Sequence, residues 1–133
     1  RREAEAFRLR GQGILEFLEL QAHRDVLVVN LSYGLQKRVE LGRALIAGPS
    51  LLLLDEPMAG MNAEEKQEMA RFVADVNRDL GTTVVLIEHD IGVVMGLSDH
   101  VVVLDYGRKV GDGTPAQVQA DPEVIAAYLG VAH

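Results

Sequence analysis

Leu51-Leu52-Leu53-Leu54-Asp55-Glu56-Pro57 is the stretch on which the reading of this chain turns. Four consecutive leucines leave no polar side to present to water, which suits a strand buried on both faces of a parallel sheet. Two carboxylates and a proline then end the run. The pattern returns twice: Thr83-Val84-Val85-Leu86-Ile87 runs into Glu88-His89-Asp90, and Val101-Val102-Val103-Leu104 into Asp105. Between the first two runs, Met69, Phe72, Val73, Val76 and Leu80 recur at helical spacing until Gly81 stops them. Strands alternating with helices predict an α/β fold with a parallel sheet. Functional groups in such sheets gather just beyond the carboxyl ends of the strands, where Asp55, Glu56 and His89 stand.

Upstream, Ser32 is a good N-cap for a helix whose face is Leu35, Val39, Gly42, Leu45 and Ile46, ended by Gly48-Pro49. Residues 1–20 read as a helix interrupted by Gly11 and Gly13, with Phe7, Ile14, Leu15 and Leu18 on one side. Downstream, Asp90 caps a short helix through about Leu97. Thr114-Pro115-Ala116-Gln117 opens a further helix with a capping pair and proline in the first turn. Asp121-Pro122 opens the last, which Gly130 closes.

The bulk numbers narrow the function classes. The 133 residues contain 48% hydrophobic and 25% charged side chains, an ordinary globular balance. The absence of cysteine excludes a disulfide framework and a thiolate metal site within them. Apolar runs of four to five residues are far short of a spanning helix, and no signal segment is seen, so a cytoplasmic location is expected. Residues 1–43 carry eight Lys/Arg against six Asp/Glu, net +2; the rest carry five against fourteen, net −9, giving −7 together. An acidic chain without a basic stripe argues against nucleic acid as a partner.

An apolar strand followed by Asp-Glu is the Walker B pattern of P-loop ATPases. In that reading Asp55 holds Mg²⁺ through water, because a hard cation prefers carboxylate oxygen, and Glu56 is the general base for the attacking water. The alternative is a plain polar strand end before a turn. Leu31-Ser32-Tyr33-Gly34-Leu35-Gln36, with Lys37, Arg38 and Arg43-Ala44-Leu45 behind it, resembles the signature motif of ATP-binding-cassette (ABC) ATPases. A capped helix start offers backbone N–H groups and a positive dipole end to phosphate. The resemblance implies that Ser32, Tyr33, Gly34 and Leu35 reach the nucleotide of a partner subunit. Ala59-Gly60-Met61-Asn62 stands where the family has its D-loop, which crosses the dimer interface. His89 stands at the switch histidine, 33 residues beyond Glu56.

The resemblance covers nearly the whole chain and implies the C-terminal part of an ABC ATPase domain, with a P-loop NTPase-type parallel sheet and flanking helices. Residues 1–48 would belong to the helical subdomain, 49–112 to the core sheet and 113–133 to a helical tail. The implied cofactors are ATP and Mg²⁺. The implied partners are a second ATPase subunit (the same or a different chain), membrane-spanning transporter subunits on the inner face of the membrane, and indirectly a substrate-binding protein. Leu-Ser-Tyr-Gly, Glu56-Pro57-Met58-Ala59-Gly60-Met61-Asn62 and the Tyr106-Gly107…Gly113-Thr114-Pro115…Tyr128-Leu129-Gly130 ending look like the ATP-binding subunits of branched-chain amino-acid importers.

Two positions depart from the family pattern: Leu35 replaces the signature's usual Gln, and Asn62 the D-loop's common Asp. Gln36 does not obviously substitute, because one helical step points about 100° away. No Gly-x-x-x-x-Gly-Lys-[Ser/Thr] phosphate loop occurs in the 133 residues, and Gly11-Gln12-Gly13 follows no strand. In the family that loop lies upstream, and its strand sits between the strands at 83–88 and 101–105. The isolated chain is therefore expected to bind ATP poorly. It is also expected to fill the slot with another segment, close those two strands together, or self-associate through them. The rival readings are a non-catalytic fragment or interaction module, and a soluble ABC ATPase unrelated to transport.

Overall fold

The computed structural model describes residues 1–129, which fall into two compact units, one from Arg1 to Ile87 and one that begins at Glu88. Gly130, expected to close the last helix, lies outside the described residues.

The first unit opens with helix α1 (Arg2–Phe17), which runs unbroken through Gly11 and Gly13. Each glycine costs a helix about 1 kcal/mol against alanine, an amount that a sixteen-residue helix packed at one end carries without breaking. No residue of the helix itself is buried: Leu18 and Leu20, just past its end, are buried, whereas Phe7, expected on the inner side, is exposed. Helix α2 (Tyr33–Leu45) starts at Ser32, whose hydroxyl accepts from the Leu35 N–H at 3.4 Å. Its buried residues are Leu41, Gly42 and Leu45. Gly42 is where α1 approaches, since a Cβ there would stand 3.1 Å from Leu18 Cδ1 and 3.3 Å from Ile14 Cγ2.

Strand β1 (Leu51–Asp55) pairs in parallel with β2 (Thr83–Ile87), Leu53 opposite Val85 and Asp55 opposite Ile87. Helix α3 (Ala63–Leu80) connects them and buries Met69, Phe72, Val73 and Val76. Leu80, the last residue of the expected stripe, is exposed, and Gly81 ends the helix at φ 66°. Burial on both faces of the strands is not found. Leu52 is buried and Leu54, Val84 and Leu86 are half-buried, while Leu51, Leu53, Val85 and Ile87 are exposed. Successive side chains alternate between faces, and only one face finds packing partners among the described residues.

The second unit begins with helix α4 (Ile91–Leu97), capped by Asp90, whose Oδ1 accepts from the Val93 N–H at 3.2 Å. Strand β3 (Val101–Asp105) does not join the parallel pair. It forms an antiparallel hairpin with β4 (Arg108–Gly113), a strand the sequence did not announce. The turn is Tyr106-Gly107, both at positive φ (49° and 76°), as a two-residue hairpin turn of the favoured hand requires. Glycines hide β4 from a pattern reading, yet both contacts need them: a Cβ at Gly111 would lie 2.6 Å from Val124 Cγ2, and one at Gly113 would lie 2.4 Å from Gln117 Oε1.

Helices α5 (Pro115–Ala120) and α6 (Pro122–Val124) start at Thr114 and Asp121 as expected, Thr114 with a complete capping box. A π-helical turn continues α6 over Ile125–Leu129. Val101, Val118 and Val124 form the small core, with Val94, Met95 and Val103 against it. The Tyr128 hydroxyl donates to the Leu104 carbonyl.

Candidate functional site

The expected site residues of the first unit cluster at two loops, one entering α2 and one joining β1 to α3. At the end of β1 the Glu56 N–H donates to Ile87 O at 2.8 Å, extending the parallel ladder one residue past Asp55. Glu56 then turns into the left-handed region, φ 49°, which is strained for a residue with a Cβ. Two short turns follow, Ala59 N–H to Glu56 O at 3.1 Å and Met61 N–H to Met58 O at 3.2 Å, with Gly60 supplying φ 77°. Met58 and Met61 are buried and anchor the loop; Ala59, Gly60 and Asn62 stay outside.

Asn62 has a local duty. Its Oδ1 accepts from the Glu65 N–H at 2.9 Å, and Glu65 Oε2 accepts from the Asn62 N–H at 3.1 Å, a reciprocal cap on α3. The chain of Glu65 also lies against Gly34, where a Cβ would meet Cγ and Cδ at 3.3 Å. The Tyr33 hydroxyl donates to Ala59 O at 3.0 Å, with Lys37 Nζ 5.5 Å from the centre of the Tyr33 ring. Residues 32–35 and 59–62 therefore form one contiguous group.

Leu35 lines a pocket of about 260 Å³ with Ser32, Gly34, Arg38, Glu65, Glu68 and Met69. Its neighbour Gln36 is committed elsewhere: Nε2 donates to Val28 O at 3.0 Å and to Leu31 O at 3.1 Å, fastening the preceding loop. Gln36 does not replace the missing amide. A second pocket of about 220 Å³ brings Lys37 and Glu40 of α2 to the same wall as Leu53, Asp55 and Glu56. Asp55 is an exposed carboxylate of the right chemistry for Mg²⁺. Among the described residues no group of three or more His, Cys, Asp or Glu could hold a metal by itself. A single exposed carboxylate of this kind fits a Mg²⁺ ion reached through water. His89 belongs to the second unit, where it is exposed and its N–H donates to Glu88 Oε2 at 3.3 Å.

One set of contacts escaped the sequence reading, although Phe72 and Arg38 were themselves named in it. Phe72 of α3 is clasped between two guanidinium groups, Arg38 at 4.6 Å and Arg71 at 4.5 Å from the ring centre. Arg38 is further held by Glu68 at 2.9 Å and by Leu18 O at 3.4 Å, and Arg71 by Glu19 at 2.9 Å. The hydrogen bond and charge of Arg71 hold the Glu19 carboxyl below its ordinary range. These contacts join α2, α3 and the end of α1. They span up to 52 residues of chain, and no local spacing announces them.

The first unit is α/β, a parallel pair of strands with flanking helices. Comparison with known proteins makes the assignment narrower. Residues 5–59 match the model of the ABC transporter family, and residues 108–133 match that of the branched-chain amino acid ATP-binding cassette transporter family. The chain is 41% identical over 118 residues to the high-affinity branched-chain amino acid transport ATP-binding protein LivG of Escherichia coli K12, covering 89% of this chain and 46% of LivG. It is 36% identical over 114 residues to the methionine import ATP-binding protein MetN of Haemophilus influenzae, covering 86% of this chain and 33% of MetN. Among solved structures it is similar to MJ1267, an ATP-binding cassette of an ABC transporter in its ADP conformation, at TM-score 0.84 and 32% identity, covering 95% of this chain and 51% of that one. By these matches the chain is similar to part of the ATP-binding cassette of ABC transporters. It spans about half the length of the relatives it matches.

Proposed function

We propose that this chain is the C-terminal part of an ATP-hydrolysing subunit that drives a membrane importer, with branched-chain amino acids as the cargo class. The observation that carries this reading is the joined group at the end of β1, where Asp55 and Glu56 stand beside a tied pair of loops, Ser32–Leu35 and Ala59–Asn62. Glu56 acts as the general base toward the water that attacks the γ-phosphate, and His89 contacts that phosphate. Asp55 holds Mg²⁺ through water, and the ion would neutralise charge on the phosphates. Ser32, Tyr33, Gly34 and Leu35 present the start of α2 to the nucleotide of a second ATPase subunit, and Ala59–Asn62 face the same interface.

No helix among the described residues is long and apolar enough to cross a membrane. In this reading the subunit is peripheral, held at the inner face by membrane-spanning partners that, with a binding protein, touch the amino acid. Residues 1–48, 49–112 and 113–133 serve as helical subdomain, core and tail. The 133 residues alone hold ATP poorly, because no phosphate loop occurs in them.

LivG supports leucine-type cargo and MetN shows that a related cassette serves methionine, so the test is uptake. Cells deleted for their own importers and supplied with the complete transporter are given labelled leucine or methionine. The reading expects ATP-dependent leucine uptake in clear excess over methionine. Methionine uptake at the higher rate overturns the cargo class, and uptake of neither overturns the importer.

A further inference from the structure

We propose that Tyr33 is a positioning residue that couples the loop entering α2 to the loop leaving β1, so that one chain presents both as a single rigid surface. The inference rests on the reading of those loops as the nucleotide-facing and subunit-facing elements of an ATPase.

The geometry is specific. Tyr33 is the first residue of α2, and its side chain crosses to the loop 26 residues away, where the hydroxyl donates to the Ala59 carbonyl at 3.0 Å. The ring edge lies on Gly60, whose missing Cβ would stand 3.4 Å from the ring's Cε1 and from the hydroxyl oxygen. Gly60 is thus suited twice, by its φ of 77° and by the room it leaves for the ring. Glu65 makes a second bridge, capping Asn62 with its carboxylate while its methylene chain rests on Gly34.

Tyr33 is 45% exposed, so burial does not explain an aromatic residue at this place. Core packing would have hidden the ring, and an ordinary surface position would not have aimed the hydroxyl at a loop carbonyl. An exposed ring spanning two loops acts by fixing their separation. Its hydroxyl adds a direction that a phenyl ring lacks. The loops carry the groups proposed to meet another subunit's nucleotide, and interactions needed only in the assembled transition state act on kcat rather than on KM. The hydroxyl is therefore worth turnover rather than ATP affinity.

The test is Tyr33→Phe in the intact protein, which keeps the ring against Gly60 and removes one hydrogen bond. Ala59, Met61 and Asn62 each donate an N–H within or next to the loop, so their amide exchange reports its opening. The proposal expects exchange at these three amides to rise about threefold to tenfold, the weight of one hydrogen bond. It expects unchanged exchange in the middle of α2 and α3. It also expects kcat for ATP to fall by a similar factor with KM within about twofold of wild type. Unchanged loop exchange in the variant overturns the tie. Faster exchange with wild-type kcat overturns its role in turnover. A wild-type protein that lacks ATP turnover, with the exchange difference still present, upholds the tie and overturns the ATPase reading instead.

Discussion

Leu35 is the residue at which this chain departs furthest from the family's chemistry. An aliphatic side chain there gives a pocket wall and no hydrogen bond, and Gln36 cannot lend its amide because both donors of that group already serve Val28 O and Leu31 O. Under the proposed reading of a dimeric ATPase, Leu35→Gln would return an amide toward a second subunit's nucleotide. ATPase activity is expected to hold or to rise, and a clear loss in a phosphate-release assay would mean that Leu35 is needed as an apolar contact in the pocket it shares with Met69. The other departure has a different character. Asn62 accepts the same N-cap hydrogen bond that Asp would, so its replacement of Asp leaves the start of α3 intact.

At the scale of elements, that cap is the most testable feature. Asn62→Ala removes the acceptor for the Glu65 N–H and frees the Glu65 carboxylate that closes the box. The expected cost is about 1 kcal/mol, and Asn62→Asp should recover most of it. Urea unfolding followed by far-UV circular dichroism reads this; an alanine variant as stable as the original contradicts the assignment. Caps were the part of the fold most legible in the sequence. Ser32, Asp90, Thr114 and Asp121 each accept the expected backbone N–H because an N-cap is decided within four residues of chain. Strand partnership was legible only where a helix intervened: β1–α3–β2 is a parallel unit as expected, but β3 turned back on β4. An apolar run such as Val101–Leu104 does not say which edge it will pair with, and Tyr106-Gly107 is a weaker turn signal than Asn-Gly. The site was legible in the same uneven way. Asp55, Glu56 and Ser32 announce themselves by strand end and helix start, whereas the Tyr33–Ala59 bond and the Arg38–Phe72–Arg71 clasp depend on tertiary approach.

At the scale of the whole molecule, two observations bear on function together. The chain matches about half the length of its relatives, and Leu51, Leu53, Val85 and Ile87 leave one face of the β1–β2 pair exposed. Burying such a face stabilises by roughly 25 cal/mol for each Å² removed from water. The central claim is that Glu56 supplies the base in an ATP-hydrolysing machine, and one pair of measurements on the complete protein meets it directly. Mg-ATP binding by calorimetry and phosphate release are followed for wild type and for Glu56→Gln, whose amide keeps the shape of the side chain but accepts no proton from water. The account predicts that binding is preserved while turnover falls by ~10²–10⁴-fold. Phosphate release by Glu56→Gln at a near-normal rate would contradict it.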